Sequence, residues 1–228
     1  MSEVGPVLLC HTFLMNENPS RARDLTELIL GYGTVVAVIW TPEHLQHILS
    51  PIVFVLTLAV VLARRQSRDE LGIGLRGLVP SLWILPAAIA LSTLSVFVAA
   101  KAGTLHPLYK GDFKHITGYV LWTLYQQFLL QDYFMARLLR LVSNKSAAVV
   151  LAGTLFAAAH LPNLALTAAT LVWGIVSCAL FRRYRNLWAL GLAQGLLGLC
   201  FAVCVPDALN HHLRVGLGYL RYHNQPAP

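Results

Sequence analysis

Apolar runs long enough to cross a lipid bilayer recur along the chain, separated by short polar links that carry most of its Lys and Arg. In hydrocarbon every backbone N–H and C=O must find a partner within the protein, so such runs fold as helices or as closed barrels. A helical crossing takes about 20 apolar residues. Seven runs meet or approach that length: Asp24–Trp40, His47–Ala63, Leu78–Ala100, a stretch from near His115 to Arg140, Ala147–His160, Leu164–Phe181 and Leu187–Val205. The expected fold is an all-α polytopic bundle of about seven spans (six to eight), forming a single membrane domain over residues 1–228 with a polar C-terminal tail at 206–228.

Composition excludes the other broad classes. The chain is 57% hydrophobic and 12% charged, whereas roughly a quarter of a soluble domain is charged. A formal charge of +7 would suit nucleic acid only if the basic residues formed a patch. They fall between the apolar runs instead, so the bilayer is the expected partner and nucleic acid is not. With the N-terminus cytoplasmic, seven spans put twelve of the 17 basic residues on the cytoplasmic side, among them Arg64, Arg137 and Arg182, in keeping with the positive-inside rule. An integral protein of a bacterial-type plasma membrane is expected. The first twenty residues lack a basic start and carry Pro6, which argues against a cleaved signal peptide. Cys10, Cys178, Cys200 and Cys204 show no spacing for a disulfide framework.

The run from Thr117 to Arg140 is exceptional because Gln126, Gln127, Gln131 and Asp132 stand in its middle. A central Asp costs roughly 2.5–3.5 kcal/mol on insertion scales, so such side chains face a bundle interior or a wet cavity. Gln127 and Gln131, four apart, share a helix face, and Gln194 and His160 are positioned in sequence to complete a polar network. Asp132 lies about 140° round an α-helix from Gln127. Its plainest role is pairing with Arg137 or Arg140. In the tail, Asp207, His211 and His212 have D-x-x-x-H-H spacing, which on a helix puts Asp207 and His211 on one face, compatible with two ligands of a divalent-metal site for which all three residues are candidates. Otherwise the tail is polar surface, with Tyr219, Arg221 and Tyr222 as interfacial anchors. His44, His47 and His106, near span ends, are expected to be wetted.

Three pieces of the chain, in order, resemble the CPBP family of CAAX proteases and bacteriocin-processing (Abi) proteins. Phe156 to His160 is similar to its F-x-x-x-H motif. Trp173-Gly174, Phe181-Arg182-Arg183 and Leu187-Trp188 resemble the join leading to its third motif. YQQFLLQDYFMARL lies where the family has E-E-x-x-x-R. The likeness runs roughly from Gly118 to Leu199. It implies an intramembrane endopeptidase acting on a membrane-associated or prenylated peptide, with His160, Gln126, Gln127, Gln131 and Gln194 at the catalytic positions and Asp132 beside them. In the family the first motif supplies two glutamates and an arginine, where this chain has Gln126, Gln127 and Gln131. The third supplies His and Asn, where this chain has Gln194 and Gly198. An amide cannot take a proton from water, which needs a carboxylate or an imidazole. Three readings therefore stand: a peptidase relying on His160 with Asp132, a non-catalytic pseudoprotease that binds a membrane peptide or partner, and a metal-dependent lipid or isoprenoid enzyme using the C-terminal His pair.

Overall fold

The computed structural model describes residues 19–108 and 111–222; Pro6, Cys10 and Lys110 lie outside them. The described residues are all-helical, with no strand among them. The order is α1 (Pro19–Ile39), α2 (Glu43–Leu62), α3 (Leu78–Ala102), α4 (Phe113–Phe128), a π-helical turn (Leu129–Met135), α5 (Ala136–Leu141), α6 (Lys145–Ala158), α7 (Leu164–Tyr184) and α8 (Leu187–Cys204). Two short helices, α9 (Asp207–Asn210) and α10 (Gly216–Tyr222), follow.

Four helices, α2, α3, α7 and α8, are long and apolar enough to cross a membrane. Their outer faces carry large exposed apolar side chains, such as Ile48 and Val55 on α2, Leu94 and Phe97 on α3, and Leu164 on α7. In water such faces would be sites of association; in lipid they are the solvated surface. Helix α6 has 14 residues, short of the usual span.

Glycines set the closest approaches. A Cβ on Gly191 would lie 2.4 Å from Leu124, and one on Gly198 would lie 2.0 Å from the Tyr119 hydroxyl, so α8 seats directly on α4. Thr123 Oγ1 fixes the register, donating to the Gly191 carbonyl at 2.9 Å. On the other side Gly153 of α6 and Gly174 of α7 meet, a Cβ on Gly174 falling 3.0 Å from the Gly153 Cα. Backbone approach through small residues is how helices associate where lipid removes the hydrophobic drive between them.

Helix α1 differs from its sequence expectation. It starts at Pro19 rather than Asp24, so Asp24 and Glu27 lie inside the helix, not in its first turn beside the dipole. They meet three arginines from other elements. Arg140 and Arg64 both reach Asp24, at 2.6 and 2.7 Å, and Arg64 and Arg137 both reach Glu27 Oε2, at 2.8 and 2.6 Å. This network ties α1 to α2 and to the π turn and α5. It also overturns the pairing expected for Asp132, since both candidate arginines are engaged by α1.

The described part of the tail, residues 206–222, packs onto the bundle. Asn163 Nδ2 donates to the carbonyls of Asn210 (2.7 Å) and Arg214 (3.1 Å), and the Gly216 amide donates to the Leu161 carbonyl at 2.9 Å. His211 is buried and stacks on the rings of Tyr219 and Tyr222, which places those tyrosines in packing contacts. At the opposite end of the bundle, the Leu187 amide and the Trp188 indole hold the Gly72 and Ile73 carbonyls of the α2–α3 link, at 2.8 and 3.1 Å.

Candidate active site

Four glutamines form one directional row of hydrogen bonds. Gln131 Nε2 donates to Gln127 Oε1 (2.9 Å), Gln127 Nε2 to Gln194 Oε1 (2.6 Å), and Gln194 Nε2 to Gln126 Oε1 (2.6 Å). The indole of Trp173 also donates to Gln194 Oε1, at 3.0 Å, and Ser177 Oγ lies 3.4 Å from Gln131 Nε2. The Gln127–Gln131 step follows from α-helical spacing. The cross-links to α8 and α7 are tertiary, and Trp173 and Ser177 were not identified as polar partners from the sequence. The usable signal for them was a Trp and a Ser in an apolar run at i and i+4, the same spacing as Gln127 and Gln131.

The row ends at a cavity of about 670 Å3 bounded by most of the long helices. Gln126, Gln194 and His160 line it, whereas Gln127, Gln131 and Asp132 do not. His160 stands at the C-terminal end of α6, with Nδ1 2.7 Å from the Phe156 carbonyl one turn back and its ring edge-on to Phe156. The F-x-x-x-H pair is thereby a local unit: the Phe backbone orients the imidazole and the Phe ring packs it. No hydrogen bond joins His160 to the amides. The imidazole and the row share a hollow rather than a network, because the terminal turn of α6 already holds Nδ1.

Asp132 sits in the π turn, buried, and its Oδ2 has no hydrogen-bond partner. The wider π repeat changes the direction of the side chains that follow it, and the angle reckoned on an α-helix does not hold there. Arg137 attends this turn through the backbone, donating to the Tyr133 and Asp132 carbonyls at 2.7 and 3.3 Å while its guanidinium lies over the Tyr133 ring. Asp132 is brought neither to His160 nor to the cavity wall.

At Gly198 the cavity wall is filled from α4. The Tyr119 hydroxyl occupies the space that a side chain on Gly198 would need. Both residues line the cavity.

The tail residues form a different group. His211, His212 and Leu213 take left-handed backbone angles after the single turn of α9. As a result His212, not His211, meets Asp207: its Nδ1 lies 2.8 Å from Asp207 Oδ1, and its Nε2 is 2.9 Å from the Tyr222 hydroxyl. His211 Nε2 lies 3.1 Å from the Ala208 carbonyl. The shared face expected for Asp207 and His211 required a continued helix, which this turn interrupts. Among the described residues no group of three or more His, Cys, Asp or Glu side chains is arranged to hold a metal ion. Cys200 and Cys204, on one face of α8, have sulfurs 3.7 Å apart.

Near the cavity's tail end, His106 in the α3–α4 link is held by two carbonyls, Val205 O at 3.0 Å from Nε2 and Pro107 O at 3.1 Å from Nδ1. Only the imidazolium donates to both, and the hydrogen bond to Val205 raises the pKa above the ordinary value of 6.5. At the start of α4, Asp112 caps the helix by accepting from the His115 amide at 3.1 Å, and this bond lowers its carboxyl pKa.

Neither the curated proteins nor the solved structures gave a match to the chain. A family model did: residues 113–200 match the one described as type II CAAX prenyl endopeptidase Rce1-like. That stretch opens at α4 and closes near the end of α8, so it contains the glutamine row, the Phe156–His160 pair and Gly198. The likeness read from the motifs is shown over these residues, less than half of the chain: this stretch is similar to that CAAX endopeptidase family, and it lies in a protein whose described residues are all-helical, with four helices long and apolar enough to cross a membrane.

Proposed function

We propose that the chain binds a lipid-modified membrane peptide in the cavity beside His160 and does not cut it. The observation that carries this reading is the glutamine row. The positions at which the resemblance calls for water-activating and charge-stabilising groups hold amides, and the amides bond one another. Gln127 has its oxygen and its nitrogen both engaged, as has Gln194. Neither can take a proton from water. Asp132, the acid nearest in sequence, lies off the cavity wall, so His160 has no carboxylate to orient it or to stabilise its cation as a His–carboxylate pair does. The hollow itself suits a lipid chain, being within the roughly 300–1,000 Å3 of small-molecule sites and walled largely by apolar side chains.

The reading places the whole chain in one membrane domain. Helices α1, α6 and the α4–α5 rod cross in addition to α2, α3, α7 and α8, for seven spans with the N-terminus cytoplasmic. The arginines of the α2–α3 and α7–α8 links then share the cytoplasmic side, as their mutual packing requires.

The test uses the purified protein in lipid vesicles and a farnesylated peptide in which further residues follow the modified cysteine. Saturable binding is expected, with the peptide recovered intact by mass spectrometry. Cleavage by the native chain that disappears in His160→Ala overturns the proposal in favour of a peptidase. Absence of binding overturns it as well.

A further inference from the structure

Among the described residues, the cavity wall contains no Asp, Glu, Lys or Arg. Its polar groups are amides, hydroxyls, thiols, two indoles and one imidazole. Several of them have an unused hydrogen-bonding atom among the described residues, the Tyr119 hydroxyl and the Trp122 indole included, and Gln126 and His160 offer one each. Gln126 Oε1 is taken by Gln194, leaving Gln126 Nε2 as a donor. His160 Nδ1 lies against the Phe156 carbonyl, so that nitrogen carries the proton and Nε2 presents a lone pair. Neutral donors and acceptors, in a hollow to which the described residues bring no Asp, Glu, Lys or Arg, set the chemistry of what can enter.

A carboxylate or ammonium brought into such a hollow loses its hydration and meets no counter-charge, a cost of several kcal/mol per ion. An ester, amide or alcohol loses less and is compensated by Gln126 and His160. We infer that the group held beside Gln126 and His160 is uncharged, so that a prenylated cysteine is accepted as an ester or within a peptide bond and rejected as the free acid. This rests on the cavity holding a lipid chain, as proposed above, and adds the condition that any terminal carboxylate must stay outside it.

The experiment compares N-acetyl-S-farnesylcysteine with its methyl ester, each titrated against the protein in detergent micelles with empty micelles subtracted. The two share the chain and differ in one charge. The ester is expected to bind at least about tenfold more tightly than the acid at neutral pH, a modest share of the desolvation cost of an ion. Gln126→Lys, which puts a cation at the wall, is expected to reverse the preference. Equal or tighter binding of the acid to the native protein overturns the inference even where the farnesylated peptide still binds. Binding of the peptide without either small compound overturns it too, whereas loss of all three fails the underlying reading as well. Should Gln126→Lys not fold, the comparison on the native protein decides.

Discussion

Arg137 donates twice to one oxygen of Glu27 across 110 residues of sequence, with Nη2 2.6 Å and Nε 2.9 Å from Glu27 Oε2. Arg137 is 1% exposed, and the same guanidinium holds the two carbonyls of the π turn. Removing Glu27 therefore strands a buried cation. Glu27→Ala is expected to destabilise the protein by about 3 kcal/mol or more, read as the shift in unfolding in detergent. Arg23→Ala, which removes an exposed partner of Glu27 on the same helix, is expected to cost less than about 1 kcal/mol.

Gly198 and Tyr119 compete for one volume. Gly198→Asn is expected to lower stability by about 1–3 kcal/mol through overpacking, and Tyr119→Ala in the same chain to return part of that loss. The double-mutant cycle on thermal unfolding checks it; additive costs would mean that the two side chains do not share the space.

The row of amides makes Gln194 the costliest glutamine to remove. Gln194→Leu leaves Gln127 Nε2, Trp173 Nε1 and Gln126 Oε1 without their partner, at about 1–3 kcal/mol for each group left buried and unpaired. Adding Gln127→Leu removes one of those orphans, so the double variant is expected to be less destabilised than the sum of the singles. Unfolding in detergent measures the coupling.

His106 gives the tail end of the cavity a pH dependence. Its folded pKa is raised by the Val205 carbonyl, so its contribution is fully present below the ordinary value of 6.5 and is lost as pH rises through the folded value. The unfolding temperature of the native protein is expected to fall across that window. His106→Gln, which cannot titrate, is expected to flatten that part of the profile; an unchanged slope would rule the group out.

Much of this was legible before any coordinates. The alternation of apolar runs with basic links sets a helical membrane protein, and the i, i+4 spacing of Gln127 and Gln131 sets their contact. Phe156 and His160 likewise meet because they lie one helical turn apart. Other relations could not be read that way. Asp24 and Glu27 look like ordinary residues near a helix start, yet their partners come from three distant elements. The direction of Asp132 depends on a π turn that composition does not announce, and the pairing of Asp207 with His212 rather than His211 on a left-handed turn after Asn210.

The sequence alone determined the lipid-facing character, the helical class and the presence of amides rather than carboxylates at Gln126, Gln127, Gln131 and Gln194, since these depend on side-chain chemistry and local repeat. Only the tertiary structure decided which polar groups satisfy one another and which face the cavity. Hydrogen bonds and close glycine contacts between helices depend on rotation and register, and in lipid, where apolar faces are nearly interchangeable, those are fixed by the packed bundle as a whole.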